Sequence, residues 1–372
     1  MSSDVSLVKC ADYLPANVTC AVNKAVDLLG GLRKFIKPKS RVLVKPNLLM
    51  ISHPEAGICT HPEVVRAVIK LLKGIDCEVI VGDGPSVWME QIQNLDKIFE
   101  VSGMRKVCDE EGARLVDFNK RRMREKFPLT TWLDECDHLV SVPKFKTHGL
   151  TLLTGAVKNL FGLVSGTYKL ELHKRYFDSD DFAGILTDIL KEAKPSLTII
   201  DGITAMEGDG PGTSGKLRDE NLIAAGADCV ALDSVLALIM GVKPLDVPTT
   251  RLAARNGLGQ ADINKINILG EKVDDVSGRP FLLPAASMTR RIPRPLINIA
   301  KGLLRHYPIV LHEVCTRCAT CLKTCPAKAI SFKDERIVFD YRKCISCFCC
   351  QEICPASAIR VKKSLLAKFM GL

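Results

Sequence analysis

Short apolar runs alternate with amphipathic stretches along most of this chain. Residues 41–44, 77–81, 113–116, 138–142, 196–200, 221–225 and 266–269 are brief, largely β-branched or aliphatic, and continuous in hydrophobicity, which predicts strands buried on both faces. Between them, residues 18–29, 62–73, 94–102, 152–164, 181–193 and 229–240 carry apolar positions at helical spacing. Gly30 and Gly31 stop the first helix, and Pro62 sits in the first turn of the second with Thr60 or His61 at its cap. Strands alternating with helices in this way predict an α/β fold, a mostly parallel sheet with helices on both faces. The pattern leaves the strand order open.

Ligands of such sheets bind outside the carboxyl ends of the strands. Four predicted strands end in polar loops broken by Gly or Pro: Lys45-Pro46-Asn47, Gly82-Asp83-Gly84-Pro85, the Pro-Lys-Phe-Lys-Thr-His of 143–148, and residues 201–212. Parallel strands would bring these loops to one rim, so the ligand-binding candidates are Lys45, Asn47, Asp83, Lys144, Lys146, His148, Asp201 and Glu207. Lys158 joins them, because a lysine on a helix apolar on several sides must snorkel or meet an anion. Lys144 and Lys146 are alternate residues after Pro143, expected to point the same way from an exposed loop and to clamp an anion. As surface residues their joint replacement is expected to cost under about 0.5 kcal/mol. Residues 210–216 fit the Gly-x-x-x-x-Gly-Lys of a phosphate loop, but Leu217 stands where a magnesium-binding hydroxyl is needed and a strand-like run follows. That argues against nucleotide hydrolysis there and leaves a mobile loop closing over a ligand as the expectation.

The chemistry is densest near the end. Cys315, Cys318, Cys321, Cys325 and Pro326 recur as Cys344, Cys347, Cys350, Cys354 and Pro355, each offset by 29 residues. Flanking residues repeat too: Pro-Ala-Lys-Ala-Ile at 326–330 answers Pro-Ala-Ser-Ala-Ile at 355–359, the mark of an internal duplication. Three thiolates at three-residue steps hold three irons of a cubane and cannot reach the fourth. In two-cluster arrangements the last Cys of each run ligates the other cluster. The expected sets are therefore Cys315, Cys318, Cys321 and Cys354 for one [4Fe–4S] cluster, and Cys344, Cys347, Cys350 and Cys325 for the other. Zinc knuckles would leave half of these cysteines without work. Cys349 breaks the spacing and reads as a packed thiol. Residues 309–361 resemble bacterial two-cluster ferredoxins, which implies a small α+β domain.

The 372 residues leave about 300 beyond that module, with 47% hydrophobic and 25% charged residues, ordinary for globular domains. The expected organisation is an α/β domain at 1–286, a connector at 287–308, the ferredoxin domain at 309–361 and a basic tail at 362–372. In the connector Arg290, Arg291, Arg294, Lys301 and Arg305 surround aliphatic residues at helical spacing. Such a helix can lie on an anionic membrane, but its lack of aromatic anchors favours a connector docked on the protein, so peripheral membrane contact is the less favoured reading. No signal pattern opens the chain and no apolar run reaches the ~18 residues of a span. With thiolate-held clusters and many free cysteines, this places the chain in the cytoplasm. The formal charge of +10 falls to roughly +6 once the roughly −4 of two thiolate-bound clusters is counted. That argues against nucleic acid and for an acidic redox partner or a small anionic ligand.

Val-Lys-Pro-Asn, Thr-His-Pro-Glu, Val-Pro-Lys-Phe-Lys-Thr-His, Gly-Ala-Val-Lys-Asn-Leu-Phe-Gly and Asp-Gly-Ile-x-Ala-Met-Glu-Gly-Asp-Gly-Pro together resemble a widespread prokaryotic family known as a domain of unknown function, number 362. The resemblance covers roughly residues 5–270 and implies an α/β domain fused to iron–sulfur chemistry, with no reaction attached. The functional expectation is a reductase whose two clusters feed a small anionic substrate or cofactor at the strand ends. The alternative is an electron carrier or adaptor whose α/β domain recognises a partner protein without chemistry. Complete ligation by eight cysteines disfavours a cluster-delivery scaffold.

Overall fold

The computed structural model describes residues 3–84, 95–164, 168–176, 178–285 and 306–362. The expected connector at 287–308 and the basic tail therefore lie almost wholly outside the described residues. Sixteen strands are described. The first twelve are β1 (Ser3–Lys9), β2 (Arg41–Pro46), β3 (Glu78–Gly82), β4 (Arg114–Val116), β5 (Arg121–Met123), β6 (Pro128–Thr130), β7 (His138–Val142), β8 (Lys144–His148), β9 (Leu152–Thr154), β10 (Leu197–Gly208), β11 (Gly215–Gly226) and β12 (Ile266–Gly270). Ten of these form one sheet ordered β12-β1-β11-β10-β7-β2-β3-β4, with β8 beside β10 and β9 beside β8. Only the β1–β11, β10–β11 and β8–β9 pairings are antiparallel, so the sheet is mostly parallel.

Period-two alternation explains the two faces. Val42 and Val44 join the core beneath helices Pro15–Leu28 and Pro62–Lys73, while Leu43 joins the opposite core beneath Ser179–Ala193 and Cys229–Ile239. His61 caps Pro62–Lys73, its Nδ1 accepting from Glu63 N–H at 3.2 Å.

Three expectations are corrected. Residues 152–164 are not one helix: β9 comes first, then Gly155 as the non-helical N-cap, then Ala156–Asn159 and a 3-10 turn. The buried Asp233 carboxylate accepts from Ala156 and Val157 N–H, and a Cβ on Gly155 would fall 2.1 Å from it, so a tertiary cap starts the helix late. Residues 144–148 are not a loop but β8, buried throughout. Residues 201–226 form a long β10–β11 hairpin with a shift in register between Gly202 and Thr204.

The tip of that hairpin holds the second domain. Thr213 Oγ1 donates to the carbonyl of Cys354 at 2.6 Å, and Ser357 Oγ donates to the carbonyl of Thr213 at 2.8 Å. Ile353 is buried in the same core cluster as Val42 and Val44. The glycine-rich segment is thus a docking clamp, not a mobile ligand loop. A Cβ on Gly212 would stand 2.3 Å from the backbone oxygen of Glu352. Gly212→Ala should therefore loosen docking by about 1–3 kcal/mol. Hydrogen exchange would report this as faster exchange across 349–354 with the sheet unchanged; equal rates would show that the clamp does not matter.

The second domain contains β13 (Tyr307–Val310), β14 (Ile330–Lys333), β15 (Arg336–Phe339) and β16 (Ile359–Lys362). The 29-residue repeat holds in three dimensions, β13 matching β15 and β14 matching β16. The copies are interlaced, because β13 pairs with β16 and β14 with β15.

Candidate functional site

Strand order β10-β7-β2-β3 does bring the expected loops together, but their charges largely answer one another. Lys45 Nζ lies 2.7 Å from Asp83 Oδ1, both fully buried, and also donates to Asn159 Oδ1 at 3.2 Å. Burial pushes the Lys45 ammonium below its usual range, with Asp83 opposing. Lys144 Nζ lies 2.9 Å from Asp201 Oδ2 and donates to Tyr13 Oη at 2.6 Å, and Tyr13 in turn donates to Asp201 Oδ1. Lys146 donates to Asn47 Oδ1 and to the carbonyl of Ile58 at 2.8 and 2.6 Å, and burial brings it down to about 7. Neither Lys144 nor Lys146 is exposed, so the expected surface clamp is corrected: β8 carries both inward, where each has its own partner. Glu207 points elsewhere, bound by Arg279 at 2.9 Å and by the Leu282 N–H.

A cavity opens where this rim meets the second domain. It encloses about 710 Å³ of empty space, solvent at its mouth included, and among its lining residues are Lys45, Asn47, Asp83, Lys158 and Asn159 from the sheet side and Cys349, Glu352 and Ile353 from the other. Lys144, Lys146, Asp201 and Glu207 do not line it. His148 stands at the seam: its Nδ1 accepts from Leu150 and Thr151 N–H, which puts the proton on Nε2, 3.2 Å from Glu352 Oε1. Lys169 and His173, one turn apart on helix Tyr168–Arg175, complete the wall, with Lys169 donating to the carbonyl of Gly84. Sequence reasoning missed Tyr13, Thr154, Lys169, His173 and Glu352. Only the four-residue spacing of Lys169 and His173 was there to be read, and it marks a helix face without saying what the face meets.

The cysteines gather as two groups. Cys315, Cys318, Cys321 and Cys354 line one cavity of about 340 Å³ of empty space. In the other group, Cys325 lies close enough to Cys344 and Cys347 for their charges to act on it. No three His, Cys, Asp or Glu side chains among the described residues converge as a single ion requires; the four sulfurs instead surround a space. The backbone fits an anionic cluster. Arg317, Ala319, Ser346 and Phe348 all have φ between 55° and 59°, two per run at matching positions. Alternating hand in this way turns successive N–H groups inward as an anion-binding nest. Ala329 and Ala358 N–H donate to Cys325 and Cys354 Sγ, each at 3.2 Å, so even the sulfur contacts repeat. Cys349 is buried as expected, yet it also lines the interdomain cavity.

Comparison with known proteins follows the same division. Residues 42–237 match the family model described as Domain of unknown function (DUF362), and residues 307–355 match a 4Fe-4S dicluster domain. The chain is 33% identical over 271 residues to the thylakoid-associated protein sll1697 of Synechocystis sp. (strain ATCC 27184 / PCC 6803 / Kazusa), covering 69% of this chain and 81% of that protein. Among solved structures it is similar to the lactate racemase apoprotein of Thermoanaerobacterium thermosaccharolyticum, with TM-score 0.38, 13% identity, 61% of this chain and 54% of that one. A protein from Thermotoga maritima gives TM-score 0.37 and 10% identity over 65% of this chain and 59% of that one. At such scores neither likeness carries an argument. Among the described residues no helix is long and apolar enough to cross a membrane. The dicluster match gives the chain an iron–sulfur domain of the electron-transfer type, and the match over more than half its length makes it a member of the DUF362 family.

Proposed function

We propose that this protein is an iron–sulfur reductase whose acceptor is a small anion held in the interdomain cavity. The observation that carries this reading is that Cys349, Glu352 and Ile353 line the same cavity as Lys45, Asn47, Asp83 and Lys158. Cys349 lies between two cysteines assigned to the second cluster, and Glu352 and Ile353 lie between Cys350 of that set and Cys354 of the other, so the cavity borders the redox module directly. Cys315, Cys318, Cys321 and Cys354 would hold one [4Fe–4S] cluster, and Cys344, Cys347, Cys350 and Cys325 the other. Such clusters supply electrons one at a time. An acceptor in the cavity would draw its electrons from the clusters, and a protein donor would restore them singly. Cys318 is exposed whereas Cys344 and Cys350 are buried, which supports uptake at the first group and delivery from the second.

Lys158 supplies the cation for the anion. Lys45, Asp83 and Asn159 form a neutral floor beside it, and Lys144, Lys146 and Asp201 frame the rim from behind. The domain limits proposed here are 1–286 and 309–361. Thiolate-held clusters support a cytoplasmic, reducing setting, while the name of the cyanobacterial relative supports testing a membrane-face association by cell fractionation. Anaerobic reoxidation of the dithionite-reduced chain by a panel of small anionic metabolites is the deciding experiment. A reductase is oxidised by at least one of them. Oxidation by proteins alone would make the chain a carrier or adaptor and overturn the proposal.

A further inference from the structure

Three residues lining the interdomain cavity carry polar groups with nothing to bind among the described residues. His173 Nδ1 and Thr154 Oγ1 are shut off from solvent and have no hydrogen-bond partner. Lys158 Nζ makes no ion pair or hydrogen bond; it lies 5.7 and 5.8 Å from the ring centroids of Phe161 and Phe182. The other cations of the wall are engaged, Lys45 by Asp83 and Lys169 by the carbonyl of Gly84. Leaving a buried polar group unpaired costs about 1–3 kcal/mol. Two such groups, with a half-buried ammonium that has no contact partner, point to an occupant of the one cavity, because folding alone gains nothing from them.

Their chemistry describes that occupant. Lys158 is the ammonium of the wall without a contact partner among the described residues, the charge of Glu352 acting on it only from beyond contact, and it matches one negative charge. Burial, then Lys158 and Lys169, push His173 down to about 3, so its imidazole is neutral and adds a hydrogen bond without charge. No arginine is among the described residues lining the cavity, so the two-pronged donor that suits phosphate is missing. Leu48, Leu49, Phe161 and Ile353 supply an apolar wall for a carbon skeleton.

We infer that the cavity takes a small monocarboxylate, its carboxylate on Lys158, with Thr154 Oγ1 and His173 Nδ1 bonding its oxygens. This deepens the reductase reading and rests on the same cavity, but its test needs no electron transfer. Crotonate, its neutral analogue crotonamide and inorganic phosphate are titrated calorimetrically into the anaerobic, cluster-loaded full chain, followed by a series from acetate to hexanoate. At least one carboxylate binds, while crotonamide and phosphate do not. Lys158→Gln weakens that carboxylate about tenfold or more, the weight of a hydrogen bond to a charged group. Thr154→Val, close in shape and safe for the fold, weakens it about threefold or more. Binding of phosphate in preference, equal binding of crotonamide, no carboxylate binding at all, or an unchanged affinity in a folded Lys158→Gln chain would each overturn the inference. A carboxylate that binds through Lys158 yet never oxidises the reduced protein would leave it standing and sink the reductase reading alone.

Discussion

Cys354→Ala should cost the chain the cluster of the first cysteine run and leave the cluster of its own run in place. Iron and sulfide should each fall from about eight to about four per chain, by the ligand count of two cubanes. The reason is the interlaced pairing: β13 with β16 and β14 with β15 carry the end of each repeat across to the other copy. Cys354 thereby lines one cavity with Cys315, Cys318 and Cys321. Double variants identify which cluster is lost. Cys354→Ala with Cys318→Ala should lose nothing further, since both act on one site, whereas Cys354→Ala with Cys347→Ala should lose all cluster signal by electron paramagnetic resonance. The opposite pattern would assign each run to its own cluster and refute the crossing. The Thr213 clamp uses the backbone oxygen of Cys354, so docking survives the substitution.

Lys144→Ala should destabilise the chain by about 3–5 kcal/mol, because it leaves a buried carboxylate without its cation. Asp201 is fully buried and would retain only the Tyr13 hydroxyl and the His61 N–H as partners. Burial pushes the Lys144 ammonium below its usual range, and Asp201 is the main force holding it charged. Urea unfolding of the reconstituted chain measures the loss. The double variant Lys144→Ala, Asp201→Ala should recover part of it, since no lone charge then remains. Denaturation of Lys144→Ala within about 0.5 kcal/mol of the parent would restore the exposed-loop expectation and contradict the buried pair.

These two cases divide what was legible from what was not. Residues 62–73 are a helix with the predicted limits because capping and periodicity are local. The duplication was legible for a similar reason: a fixed 29-residue offset in ligands survives as a fixed offset in strands, in left-handed residues and in N–H···S contacts. The α/β class followed from apolar runs alternating with helices, and the rim from the rule that parallel strands end together.

Lys144 shows the limit. Its local pattern, polar residues after a proline, is that of a solvated loop, and only the pairing of β8 with β10 turns it inward onto Asp201. Residues 152–164 read as a helix because their apolar spacing is helical, but the cap that sets where the helix begins is Asp233, far along the chain. Residues 210–215 looked like a ligand loop since glycine permits both mobility and close approach; contact with Glu352 and Cys354 makes it the second. The sequence by itself determined the α/β class, the duplicated cysteine spacing and the family, all carried by spacing along one chain. Tertiary structure decided which charges are spent on each other and which remain for a ligand. That depends on distances between residues far apart in the chain, such as Lys45 and Asp83 or Lys144 and Asp201, which no periodicity records.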